Sequence, residues 1–439
     1  MFEMNALKVS EPQKKKITFL LGAGAALPWG GPKTNDLTNL IISDDYFKIT
    51  NNSKETFGKY LYDRLCGFYK ANKNEINFET ILGFLESLIE YYTAAKATNA
   101  NPLNHCAWPS FTTIDESFAK DVFNYKLAYS SDNNDPEDIQ YWYIPGDSKN
   151  GPIPYAKNQI KSKFLIEVFK HFTNIIIQEI LKYSNTSAVE SRKAESEALK
   201  DFINNLTAKG FLLRFYTTNY DRLIPMILEN SSDVFEGFTA EHDNTLRIDI
   251  DKIHSDKNSL VHYNVHGSVH WESLYNGLFP DYQLLKNTPP YNPFHENHQV
   301  EIGKRVILTN IIAGQDKTQK MFIPPFKYFE HAFLDDCFSS DIIMIIGNSL
   351  SDFNIQKVLS LALSVGNKKL VIIDHDSNQN ISRMHSVLRK IDPKGKYSTY
   401  DTDKNGDWYY NGDKNCFVYL NGFKEFLVSN AWKKTDILF

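Results

Sequence analysis

The sequence predicts an α/β protein: an open, mainly parallel sheet interrupted by a large, mainly helical insertion. Three observations lead there. Short apolar runs recur along the chain, most of them end in small and polar residues, and stretches of helical periodicity separate them. Short apolar runs bounded by turn residues and alternating with helices are the pattern of buried strands in such a sheet. Polar residues just beyond the C-terminal ends of the strands stand where open α/β sheets place their ligand sites.

The first run is Ile17-Thr18-Phe19-Leu20-Leu21, read as a buried strand. It leads into Gly22-Ala23-Gly24-Ala25-Ala26, then Leu27 to Pro32, then a helical pattern from Thr34 to Ile42. A strand, a glycine turn and a helix start can cradle a phosphate, because glycine allows close backbone approach and the helix N-terminus offers N–H donors. The dinucleotide fingerprint has a third glycine three residues on, where Leu27 stands here. Residues 56–93 carry helical periodicity, through Phe57, Tyr60, Leu61 and Leu65 and later Ile81, Leu82, Leu85 and Leu88. Residues 94–160 are rich in Asn, Asp, Pro and Tyr, which predicts a long irregular excursion, a lid or a contact surface. Helical patterns resume over Lys163–Tyr183 and Ala188–Leu206. The reading is therefore a sheet domain made of 1–44 and 206–439, with 45–205 as a mainly helical inserted subdomain.

Four more strands follow. Phe211–Tyr216 ends in Thr217-Thr218-Asn219-Tyr220-Asp221, and Leu260–Val265 ends in His266-Gly267-Ser268. A second insertion, about 275–335, contains Arg305–Leu308 and Phe322–Lys327. Asp341–Ile346 leads into Gly347-Asn348-Ser349-Leu350, and Leu370–Ile373 into Asp374. After a polar turn region, Lys394–Lys414, the chain is expected to close with a strand at Phe417–Leu420 and a short helix.

Composition bounds the function. The chain has 439 residues, 42% hydrophobic and 23% charged, as in a soluble globular protein. A net charge of −5 argues against a surface built for direct nucleic-acid contact. Met1 to Lys16 has no apolar signal core, and no apolar run reaches the roughly 18 residues of a membrane span, so a cytoplasmic protein is expected. Cys66, Cys106, Cys337 and Cys416 are scattered with no CxxC pair, unlike the paired thiolates of a structural zinc site. His262, His266 and His270 recur every four residues, but in a β-branched, aromatic segment that contains a glycine. At about 3.3 Å per residue a strand would hold His262 and His266 ~13 Å apart, too far to share one ion. No metal is expected, and His262 and His270 are read as ordinary hydrogen-bonded residues.

Taken together, GAG at 22–24, TTNYD at 217–221, HG at 266–267, GNSL at 347–350 and the strand ending at Asp374 resemble the sirtuin family, which carries GAG, TQNxD, HG and GTSL in this order. The resemblance covers about 17–45, 208–275 and 340–380. It implies a Rossmann-like, sirtuin-type domain with NAD as substrate. Gly22, Ala23, Gly24, Asp221, Gly347, Ser349 and Asp374 would bind NAD, Asp221 at the nicotinamide carboxamide. Asn219 and His266 would be catalytic. Nicotinamide leaves NAD as a neutral ring, so no general acid is needed, unlike ordinary glycoside hydrolysis. A carboxamide such as Asn219 can orient water and ribose hydroxyls without adding charge, and an imidazole such as His266 can accept a proton near neutrality.

The departures from the family also point somewhere. Ala26 stands where sirtuins usually have Ser, and Lys33-Thr34-Asn35 where they have an Asp-Phe-Arg run. After His266 comes Trp271-Glu272-Ser273 instead of the four-cysteine zinc module that supports an acyl-peptide cleft. The pattern looks most like the prokaryotic sirtuin-like NADases of antiviral defence. That resemblance implies an NAD+ glycohydrolase that depletes NAD in abortive infection, working as a homo-oligomer or with a sensor subunit of the same system. An NAD-dependent deacylase or ADP-ribosyltransferase, and a non-catalytic NAD or ADP-ribose sensor, remain as alternatives.

Overall fold

Lys16–Leu21 (β1) is buried along its whole length, as a strand covered on both faces must be. In the computed structural model it lies at the centre of an eight-stranded sheet. The structure describes residues 14–47, 55–69, 76–94, 139–142, 153–156, 160–229, 233–241, 245–274, 281–286, 290, 294–301, 304–314, 317–378, 381–392, 394–397, 402–405 and 407–434. The other strands are Leu212–Thr217 (β2), Val261–Asn264 (β3), Ile342–Ile346 (β4), Lys369–Ile373 (β5), Thr402–Asn405 (β6), Trp408–Asn411 (β7) and Cys416–Tyr419 (β8). Their order is β6-β7-β8-β5-β4-β1-β2-β3. From β8 to β3 every pairing is parallel, while β6 and β7 add an antiparallel edge.

This is the doubly wound, Rossmann-like α/β arrangement. The chain steps from β1 to β2 and β3 on one side, then returns to place β4 on the other side of β1. The switch point lies between β1 and β4, and it directs ligands to the loops beyond their C-terminal ends. Leu21 at the end of β1 is level with Ile346 on one side and with Thr217 on the other.

By contacts the chain forms two compact units, one of 1–31, 184–265 and 327–439, the other of 32–183 and 266–326. The first holds the whole main sheet. Phe19 of β1 stacks on Phe215 of β2 with ring centroids 4.3 Å apart, and Phe202 of the helix Lys193–Ala208 meets Phe19 edge-on. Such pairs add about 0.5–1.5 kcal/mol to the burial of their area. That helix and Thr186–Ser191, read from the sequence with the insertion, group with the sheet. Phe202 also packs on Phe426 of the closing helix Gly422–Val428.

At the start of β1, Asp336 accepts from Lys16 Nζ (2.9 Å), from Arg214 Nε (2.6 Å) and from the Tyr216 hydroxyl (2.5 Å), all in the core. Burial alone would raise the Asp336 carboxyl, but Arg214 and Lys16 outweigh it and hold it below the usual carboxylate value. Removing this acceptor would strand two buried cations, at a cost of roughly 3–5 kcal/mol.

The second unit contains the helices Thr34–Ser43, Phe57–Tyr69, Phe78–Ala94 and Ile160–Leu181, matching the helical periodicity of the sequence. Asn77 starts one of them, its Oδ1 accepting from the N–H groups of Glu79 (2.9 Å) and Thr80 (3.1 Å). The unit also holds the strand pairs Trp271–Leu274 with Asp281–Leu284 and Phe294–Glu301 with Lys304–Thr309. Of the expected excursion 94–160, the pair Ile139–Trp142 and Ile153–Ala156 is described. Residues 95–138, 143–152 and 157–159, with Cys106 among them, lie outside the described residues. Among the described residues, no helix is long and apolar enough to cross a membrane, and no group of three or more His, Cys, Asp and Glu is placed to hold a metal ion.

Candidate active site

The loops after β1, β2, β4 and β5 converge at the switch point. After β1 the chain makes a single helical turn, Ala23–Ala26, and a 3-10 turn, Leu27–Trp29. The Gly22 N–H donates to Ile346 O and the Gly24 N–H to Gly347 O, both at 2.9 Å. The glycines permit this contact. A Cβ on Gly22 or on Gly24 would lie 2.6 Å from the backbone of Asn348 or Gly347, and one on Gly347 would meet Gly24. Gly347 also has φ +57°, in the left-handed region. The glycines at 22, 24 and 347 thus interlock two turns, and two N–H groups of the 22–24 turn are satisfied within the protein.

The loop after β2 is tied to the same turn. Thr218 N–H donates to Leu21 O (3.0 Å), and Asn348 Nδ2 donates to Thr218 Oγ1 (3.1 Å). Asn219 donates from Nδ2 to Gly22 O (2.9 Å), and its own N–H goes to Thr217 Oγ1 (3.0 Å). With its nitrogen used in this way, Asn219 Oδ1 is an acceptor with no partner among the described residues. Asp221 is buried, and its Oδ1 accepts from the N–H of Leu223, opening the helix Leu223–Leu228. The next residue, Arg222, turns away to a buried two-pronged pair with Glu236, at 2.5 and 2.7 Å.

Asn219 and Asp221 line one cleft with Leu21, Ala25, Ala26, Trp29, Leu223, Ile224 and Phe423. Its free volume is about 10 Å³, room for a single water, and its mouth is partly open to solvent. The walls are apolar and aromatic, and two polar side chains stand among them. Trp29 is locked by its Nε1–H bond to Ser196 Oγ (3.0 Å), with its ring 6.3 Å from that of Phe423. The sequence reading missed Trp29 and Phe423, because neither belongs to a motif and Phe423 comes from the closing helix.

Ser349 is exposed, its Oγ donating to Ser351 Oγ at 3.2 Å. Leu350 has φ +49°, and its carbonyl accepts from Gln356 Nε2 (2.6 Å) and Lys390 Nζ (3.2 Å). Asp374 follows β5. Its N–H donates to Tyr419 O (2.9 Å), its carboxylate accepts the N–H of His375 (2.8 Å), and Gly347 N–H donates to the neighbouring Ile373 O (2.8 Å).

Beyond β3, Val265 N–H donates to Thr217 O (3.1 Å). The following residue, His266, opens the 266–326 segment of the second unit; it is buried, and its carbonyl accepts from Ile312 N–H (2.7 Å). Gly267 has φ +85°, and a Cβ there would strike the Asn310 carbonyl, which accepts from Ser268 N–H at 2.9 Å. The glycine of the HG pair thus has a packing reason of its own. His262 lies within β3, fully buried, with no partner for either ring nitrogen among the described residues. Burial, and then the charge of Arg222, lower its pKa to about 3, so it is neutral at pH 7.

Residues 213–390 match the family model of the SIR2-like domain. No curated protein matches the chain. The matched span runs from β2 to the helix Ile381–Ile391 and takes in Asn219, Asp221, His266, Gly347, Ser349 and Asp374, while Gly22, Ala23 and Gly24 precede it. Over this span the protein is similar to SIR2-like domains.

Proposed function

We propose that the protein is an NAD+ glycohydrolase that cleaves NAD+ to nicotinamide and ADP-ribose. The observation that carries this reading is the cleft where Asn219 and Asp221 stand beside Ala25, Ala26 and Trp29. Apolar and aromatic walls beside a carboxylate match the chemistry of a nicotinamide ring and its carboxamide N–H groups, and the walls must part to admit them. Asn219 Oδ1 is then the acceptor that holds a ribose hydroxyl or the attacking water. The leaving ring departs neutral, so the carboxylate serves recognition and not protonation. His266 takes the proton released by water or a ribose hydroxyl. The turns at 22–24 and 347–349 and the acid at 374 hold the rest of the dinucleotide. None of these steps calls for a metal ion.

In the cell this activity would deplete NAD in an antiphage abortive-infection response. That part of the proposal rests on the motif set and on the departures from deacylases at Ala26, at 33–35 and after His266. A chain that drains NAD without restraint would kill its host, so activity is expected to await assembly, with itself or with a sensor subunit, through the helical stretch 45–205. Incubating the purified chain with NAD and measuring nicotinamide and ADP-ribose, alone and with candidate partners, tests the reading. Release that depends on Asn219 and His266 supports it.

A further inference from the structure

Asn264 ends β3, directly beside Thr217 in the parallel register with β2. It is 3% exposed, a polar residue in the otherwise packed end of a strand. Its Nδ2 donates to two backbone carbonyls, Asn219 O at 3.1 Å and Asp221 O at 2.8 Å. Both partners accept only, so the amide must present its nitrogen to them. Those carbonyls belong to the two residues whose side chains line the cleft, and they flank Tyr220. One side chain therefore ties both ends of the Asn219–Asp221 segment to the sheet. Asn219 N–H to Thr217 Oγ1 and Asn219 Nδ2 to Gly22 O also hold its first residue, and Leu223 N–H on Asp221 Oδ1 holds its last.

We propose that Asn264 is a positioning residue for NAD cleavage: it sets the spacing of Asn219 and Asp221, so that ribose and nicotinamide are held together in reacting geometry. The inference rests on the hydrolase reading above. A misplacement near 1 Å can lower turnover by up to ~100-fold without abolishing binding.

Asn264→Asp is the sharpest test because it keeps the shape. Its ionised carboxylate has no donor and faces two carbonyl oxygens, whereas its protonated form regains one O–H donor. The variant is expected to lose about 10- to 100-fold in kcat with KM little changed, and its kcat should recover as the pH falls and the carboxyl takes up a proton. Asn264→Ser, which keeps one donor, should fall between the two. Near-UV circular dichroism and melting at the assay temperature establish that each variant is folded; if Asn264→Asp is not, Asn264→Ser decides by the same readouts. Folded variants with the kcat and pH profile of the unaltered chain would overturn the positioning role and leave NAD cleavage standing. If no preparation of the unaltered chain releases nicotinamide, the hydrolase reading is what fails. The positioning role of Asn264 in cleavage then falls with it, whereas cleavage by the unaltered chain with equal kcat in the folded variants overturns the Asn264 role alone.

Discussion

The side-chain amide of Asn219 donates to the backbone carbonyl of Gly22 at 2.9 Å, joining the loop after β2 to the turn after β1. This one bond orients the carboxamide and leaves its oxygen as the acceptor in the cleft. It also makes the 22–24 turn part of the positioning of Asn219, so changes to the turn reach the site through the backbone.

The interlocked glycines give the first expectation. Gly347→Ala must fit a methyl group against Gly24 in a left-handed backbone conformation. Overpacking of this kind costs roughly 1–3 kcal/mol. Gly412, by contrast, has open space where a Cβ would go. Gly412→Ala should stay within about 0.5 kcal/mol of the unaltered chain. Urea denaturation of the two variants compares them directly, and equal midpoints would contradict the close packing of the turns.

His262 predicts how stability depends on pH. Its pKa is about 3 in the folded chain against 6.5 for an unperturbed imidazole. Below about pH 6.5 the unfolded chain therefore binds a proton that the folded one refuses, and stability is lost as the pH falls toward 3. The slope from this one group is up to ~1.4 kcal/mol per pH unit. His262→Leu should flatten the decline in denaturation midpoint between pH 6.5 and 4. An unchanged slope would show that the imidazole is protonated, or reached by water, in the folded state.

The strand ends were legible in the sequence because each motif follows an apolar run too short for a helix: Ile17–Leu21, Phe211–Tyr216 and Asp341–Ile346 lie on β1, β2 and β4, give or take a residue. The closing strand, expected at Phe417–Leu420, was legible for the same reason. The bonding of the glycines was not. A GAG turn reads as a place for phosphate to approach, and only the fold reveals that the Cβ positions of Gly22 and Gly24 face the backbone of Gly347 and Asn348. Asn264 was equally hidden, since an Asn near a strand end reads as a turn residue until its two carbonyl partners, 45 and 43 residues away, are brought beside it. Trp29 and Phe423 meet across almost the whole chain, a distance that no local pattern spans.

Control by assembly carries its own expectation. The isolated chain should cleave NAD slowly and gain activity when it oligomerises or meets its sensor partner. Sedimentation of the purified chain run beside nicotinamide release, with and without candidate partners, reports both. A monomer that is fully active and indifferent to every partner or phage component would remove this mode of control.

Asn219 and His266 are proposed to carry NAD cleavage, His266 as the base. The most direct measurement is nicotinamide released from NAD by the chain and by its Asn219→Ala and His266→Ala variants, each assayed under the conditions that activate the unaltered protein. Each variant should remain folded, because neither change empties an apolar core, and each should lose at least ~100-fold in turnover. Variants that release nicotinamide as fast as the unaltered chain would contradict the claim.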